Sequence, residues 1–113
     1  MTSLVRGEIW LADLDPIRGH EQAGRRPILV LSATRFNEGP AGLVVALPIT
    51  GTIRPIPSRI EIQPPEGGLT KPSSVICEGI RSLSHDRLVR RLGKVRPDTL
   101  SRVGNVLRYL LEL

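Results

Sequence analysis

Apolar residues along this chain fall in short runs separated by glycine and proline, and only the last stretch repeats them at helical spacing. Residues 8–14 (EIWLADL), 28–34 (ILVLSAT) and 43–50 (LVVALPIT) are compact apolar runs, too short for good helices and bounded by turn-forming residues. Residues 59–63 (RIEIQ) alternate, as a strand with one wet face does. Residues 74–82 (SVICEGIRS) and 88–95 (LVRRLGKV) are further predicted strands. The ten prolines nearly all fall between these runs and exclude a long helix before residue 97. Turn-rich connectors lie at 37–42, 51–57 and 64–73. After Pro97 and Asp98, the residues Leu100, Val103, Val106, Leu107, Leu110 and Leu111 recur at three- and four-residue spacing. That spacing predicts an amphipathic C-terminal helix with one apolar stripe.

The pattern reads as one domain, residues 1–113, mainly β: a small barrel or curled sheet closed by a C-terminal helix. A chain of 113 residues buries enough surface to fold without disulfide or metal. Its formal charge of +5 favours a polyanionic partner, nucleic acid or an acidic protein tail, with a merely solvated basic surface as the alternative. Cys77 is the only cysteine, so no internal disulfide forms, which fits a reducing cytoplasm. The first residues carry no apolar run of signal-peptide length, and no stretch approaches a membrane span.

Candidate chemistry narrows this. No Cys/His cluster has zinc spacing and no phosphate-binding glycine loop is present. Asp13 and Asp15 could pair on a metal, but Asp15-Pro16 reads better as the turn after the first strand. The aromatic residues are Trp10, Phe36 and Tyr109, too few for a base-stacking platform, and Trp10 sits in a core-like run. Arginine must therefore make much of any nucleic-acid contact. Residues 19–32 (GHEQAGRRPILVLS) load charge of both signs onto the entrance of a predicted strand. Arg26 precedes Pro27, which biases it to extended geometry, and proline at a strand's first position costs no ladder bond. A guanidinium held there suits a phosphate, although a pre-strand arginine is also a common surface cation. Thr50, followed by Gly51, ends another apolar run.

Gly7-Glu8-Ile9-Trp10, residues 19–27 (GHEQAGRRP), the LPIT of 47–50 and the ICEGIRSLSHDRL of 76–88 together resemble the MazF/PemK family, toxins of bacterial toxin–antitoxin pairs. The resemblance runs in order over nearly the whole chain. It implies an SH3-like barrel with added helices, working as a homodimer. It also implies sequence-specific, metal-independent cleavage of single-stranded RNA, with no cofactor, leaving a 2′,3′-cyclic phosphate and a 5′-hydroxyl. The family's catalytic arginine falls on Arg26, its catalytic threonine on Thr50 and its loop carboxylate on Glu21. His20, Gln22, Arg25, Arg54, Arg59 and Arg81 are candidate RNA contacts. The partners implied are messenger RNA, an antitoxin with an acidic disordered C-terminal tail and, with that antitoxin, operator DNA. One departure is Glu78-Gly79-Ile80-Arg81, where many members carry glutamine in place of Gly79; the missing amide bears on the cleavage sequence.

Several roles stay open at this level. Arg26 would stabilise charge on the phosphate, and Thr50 would donate to a non-bridging oxygen. Glu21 is either the base or the ion-pair partner that orients Arg25 or Arg26. A histidine pair, His20 with His85, is a third source of acid–base chemistry, but Ser84-His85-Asp86 reads as a capped turn. Cys77 reads as a small core residue, and Arg90-Arg91 as RNA contacts or solvated edge charge. Two rival functions are a gyrase poison, which in relatives with this barrel depends on a C-terminal tryptophan, and a degenerate toxin that only binds antitoxin or nucleic acid. The chain ends Tyr109-Leu-Leu-Glu-Leu113, without tryptophan.

Overall fold

The computed structural model describes residues 3–14 and 24–113. Its strands are β1 (Glu8–Asp13), β2 (Arg25–Val30), β3 (Leu43–Thr50), β4 (Arg59–Ile62), β5 (Ser73–Ile76), β6 (Arg81–Ser84) and β7 (Leu88–Lys94). A short helix α1 (Thr34–Asn37) follows β2, and α2 (Pro97–Leu111) ends the chain. The strands form one antiparallel sheet in the order β4-β5-β3-β2-β1-β7, and β6 joins the early half of β3.

The runs are apolar throughout, rather than alternating, because the sheet is covered on both faces. On one face Ile9, Leu29, Leu47, Ile49 and Val75 pack with Val103 and Leu107 of α2. On the other, Trp10, Ala12, Ile28, Val30, Val44, Ala46 and Leu83 pack together. Trp10 and Cys77 are core residues, as their sequence context suggests. The helix begins at Pro97, and Ser84 caps the turn at His85–Arg87 by accepting from the Asp86 N–H.

Two expectations of the sequence reading change. The second strand covers Arg25–Val30, not 28–34. Beyond Val30 the Ser32 hydroxyl bonds Asn37, accepts from the Val45 N–H at 2.9 Å and thereby turns the chain into α1. Pro27 is therefore the third residue of its strand, paired with Leu11. It is tolerated because the β2–β3 pairing starts only at Ile28–Pro48. The 74–82 run is also split. β5 pairs with Ile49 and Thr50, β6 pairs with residues 43–46, and Cys77–Gly79 leaves the ladder between them as a tight 3-10 turn. Gly79 permits this because a Cβ there would lie 3.0 Å from Cγ of Pro48.

Glycine also brings the two ends of the sheet together. The turn at Glu66–Gly68, after β4, lies against β7 so closely that a Cβ on Gly68 would sit 2.0 Å from the Leu92 carbonyl oxygen, at a backbone φ of +75°. From the same turn, Glu66 Oε2 accepts from the Arg96 N–H at 3.0 Å and from Thr99 Oγ1 at 2.6 Å, satisfying the start of α2 from 30 residues away. Among the described residues, no helix is long and apolar enough to cross a membrane.

Candidate active site

Strand register determines where the candidate residues meet. The last paired residues of β2 and β3 are Ile28 and Pro48. Arg26 stands two positions before Ile28, and Thr50 two positions after Pro48. Arg26 is opposite Ala12, and Thr50 continues the row of Val44, Ala46 and Pro48, so strand alternation puts both on the face that carries Ile28 and Val30. Both lie just past the last β2–β3 pair, at one end of the sheet. Arg26 is exposed there. Thr50 is 7% exposed, and its Oγ1 accepts from the Thr52 N–H at 3.1 Å. That contact uses one lone pair and leaves the hydroxyl proton available to donate.

Ser74 lies opposite Thr50 on β5, and among the described residues its buried hydroxyl has no hydrogen-bond partner. Arg81 lies opposite Ala46, on the same face as Arg26 and Thr50 but nearer the start of β3. Between them a Cβ on Gly79 would lie 3.0 Å from Pro48 Cγ. A side chain at position 79 would need Pro48 to give by a few tenths of an ångström.

The other candidates divide. Arg25 opens β2 opposite Asp13 and is exposed. Arg54 is exposed in the connector after β3. Arg59 is held by Glu78, with Nε and a terminal nitrogen each 3.0 Å from Oε2, while Ser58 Oγ donates to Oε1 at 2.7 Å. Burial pushes the Glu78 carboxyl up, but the Ser58 hydroxyl, its own backbone and Arg59 together bring it below the ordinary range. His20, Glu21, Gln22 and Asp15 lie outside the described residues. His85 is far from a reacting role: its Nε2 is 3.2 Å from the Leu43 carbonyl oxygen. Among the described residues no cluster of His, Cys, Asp and Glu gathers to hold a metal ion. Burial, with Glu78 adding to it, pushes the Cys77 thiol up to about 11, so it is not a ready nucleophile.

Two features escape sequence reasoning. Glu8 is buried, its Oε1 accepting from the Val5 N–H at 2.9 Å and Trp10 Nε1 at 3.1 Å, its Oε2 from Arg91 Nε at 2.6 Å. Burial opposes its ionisation, but these three donors outweigh it and hold the carboxyl below the usual range. Behind the sheet end, on the face opposite Thr50, a cleft of about 480 Å³ is lined by Arg25, Arg26, Lys71, Arg90 and Arg91 around Leu11, Pro27, Ile49, Leu69 and Leu92. Lys71 comes from a different connector. Gly51, directly after Thr50, was the only local sign of a close approach.

A family model described as the PemK-like, MazF-like toxin of type II toxin–antitoxin systems matches residues 5–111. Endoribonuclease MazF9 of Mycobacterium tuberculosis is 34% identical, over 96% of either chain. A crystal structure of MazF from Deinococcus radiodurans superimposes with a TM-score of 0.86 at 31% identity, covering all of both chains. A MazE–MazF structure from the same organism gives 0.84 at 30% identity, over 100% of this chain and 99% of the other. A Mycobacterial endoribonuclease in complex with its cognate antitoxin gives 0.79 at 27%, over 100% and 97%. The sheet order, the C-terminal helix and these matches lead to one conclusion: the chain belongs to the PemK/MazF family of type II toxin–antitoxin toxins.

Proposed function

We propose that this protein is the toxin of a type II toxin–antitoxin pair and acts as a sequence-specific, metal-independent endoribonuclease on single-stranded RNA in the cytoplasm. The observation that supports the reading is that Arg26 and Thr50 continue β2 and β3 just past their last pair, Ile28–Pro48, with strand alternation assigning both to one face. The matched relatives named as endoribonucleases support it.

The reaction is an attack by a ribose 2′-oxygen on the adjacent phosphorus. The 2′-oxygen loses its proton, the new P–O2′ bond forms and the P–O5′ bond breaks. The departing 5′-oxygen takes a proton, leaving a 2′,3′-cyclic phosphate and a 5′-hydroxyl. Arg26 offers a permanent charge and a planar set of donors to the phosphate as negative charge grows on it. Thr50 offers one further donor, its oxygen held by the Thr52 N–H. Glu21 is the candidate base or the residue that orients Arg26. Arg25, Arg54 and Arg81, with His20 and Gln22 of the preceding loop, are the candidate contacts to the rest of the strand. Arg59 would reach RNA only by leaving Glu78.

The working unit is a homodimer with a basic groove. RNA and the acidic tail of a separate antitoxin compete for that groove, and the antitoxin complex binds operator DNA. Solved complexes of similar toxins with antitoxin support the antitoxin partner. The test incubates purified protein with a long mixed RNA in EDTA and sequences the new 5′ ends. The expected result is a short recurring motif at every cut, with 5′-hydroxyl ends. Cuts without a motif, or cleavage abolished by EDTA, would overturn the reading.

A further inference from the structure

The cleft behind Thr50 gathers five cations and, among the described residues, no carboxylate lines it. Arg91 is partly neutralised by Glu8 and Arg26 has an interaction of its own, but among the described residues Lys71 has no ion pair or hydrogen bond from its ammonium group. Its side chain is nonetheless laid over the strand end: a Cβ on Gly51 would lie 2.5 Å from Lys71 Cε and 2.7 Å from Nζ. Ser73 Oγ donates to the Lys71 carbonyl at 3.0 Å and fixes the backbone that carries it. Crowding like charges costs folding free energy, so an arrangement of this kind is explained best by an anion that completes it. Leu11, Pro27, Ile49, Leu69 and Leu92 line it beside the cations, and the size suits one nucleotide.

We propose that this cleft is an exosite for a flanking nucleotide of the same RNA strand, with phosphate held by Lys71, Arg25 and Arg90 and the base against Leu11, Pro27 and Leu69. Arg26 and Gly51 belong to its wall while Arg26 and Thr50 define the opposite face. A strand crossing the sheet end at Thr50 therefore passes directly from one site to the other. This continuity favours RNA over an acidic peptide as the occupant. The inference rests on the nuclease reading.

The test compares Lys71→Met, Arg90→Met and Lys71→Arg with wild type on a long RNA and on the shortest oligonucleotide that wild type cuts. Both methionine variants should raise KM for the long RNA about tenfold, the loss of one charge-assisted contact, and change kcat less than twofold. The short oligonucleotide should feel the change less than twofold, and Lys71→Arg should restore the long-RNA value. Binding of a long RNA blocked by 2′-deoxyribose at the cut should lose about 0.7 from its salt slope per cation removed. Equal losses on both lengths, or no loss on either, would overturn the exosite. So would variants that lose only an acidic antitoxin-tail peptide, which would make the cleft a peptide site. If wild type cuts neither RNA, the nuclease reading fails instead, and the blocked RNA still reports on the cleft.

Discussion

The Arg59 guanidinium engages Glu78 through two nitrogens, each 3.0 Å from the same carboxylate oxygen, and so ties the start of β4 to the turn that separates β5 from β6. The Arg59 side chain is only 17% exposed, so the pair is better shielded than a surface contact. Arg59→Met should lower stability by about 1 kcal/mol, read as a lower midpoint in urea. The RNA salt slope should stay at the wild-type value, whereas Arg54→Met should reduce it. An Arg59→Met protein of full stability with weakened RNA binding would show that the arginine serves RNA rather than the fold.

Glu8 gives a pH dependence. Its folded carboxyl is held below the ordinary range, so its stabilisation is present above about pH 4.3, the unfolded glutamate value, and is lost as pH falls through the folded one. Glu78 acts in the same direction. Urea midpoints should fall on acidification below about pH 4.3. Glu8→Gln should be less stable than wild type at neutral pH, with the gap narrowing in acid. A gap that widens in acid would contradict the assignment of Glu8 as a buried anion bonded to Arg91 and Trp10.

Gly68→Ala tests how the sheet ends meet. The added Cβ would lie 2.0 Å from the Leu92 carbonyl oxygen, in a backbone region that L-residues avoid. A loss of more than about 2 kcal/mol is expected, measured by urea unfolding. Ser74→Ala should go the other way, neutral or slightly stabilising, because it removes a buried hydroxyl that has no partner among the described residues. A strongly destabilised Ser74→Ala would mean that this hydroxyl is bonded in solution.

What was legible in the sequence was local. The stripe from Leu100 to Leu111 repeats within one helix, and 43–50 is bounded by Gly42 and Gly51, so α2 and β3 are found where the pattern puts them. The break at Cys77–Gly79 was not legible, because it follows from β5 and β6 both pairing with β3. Nor was α1, which depends on Ser32 reaching Val45 and Asn37 reaching the Leu4 carbonyl. The helix start was visible at Pro97, but its cap comes from Glu66. At the site, Arg26 and Thr50 could be named from family resemblance, whereas their shared end and face of the sheet follow from register. Lys71 over Gly51 joins residues 20 positions apart and leaves no periodic signal.

The central claim is that Arg26 and Thr50 act together on one phosphate. Cleavage of a single defined RNA by wild type, Arg26→Ala and Thr50→Ala, with thermal unfolding as a control, tests it most directly. Each variant should keep the wild-type fold, since Arg26 is exposed and Thr50 sits at a strand end. Each should lose about a hundredfold to a thousandfold in kcat, the usual cost of one transition-state donor. The double variant should be little worse than the poorer single one. A folded Arg26→Ala or Thr50→Ala protein that cuts at the wild-type rate would contradict the claim.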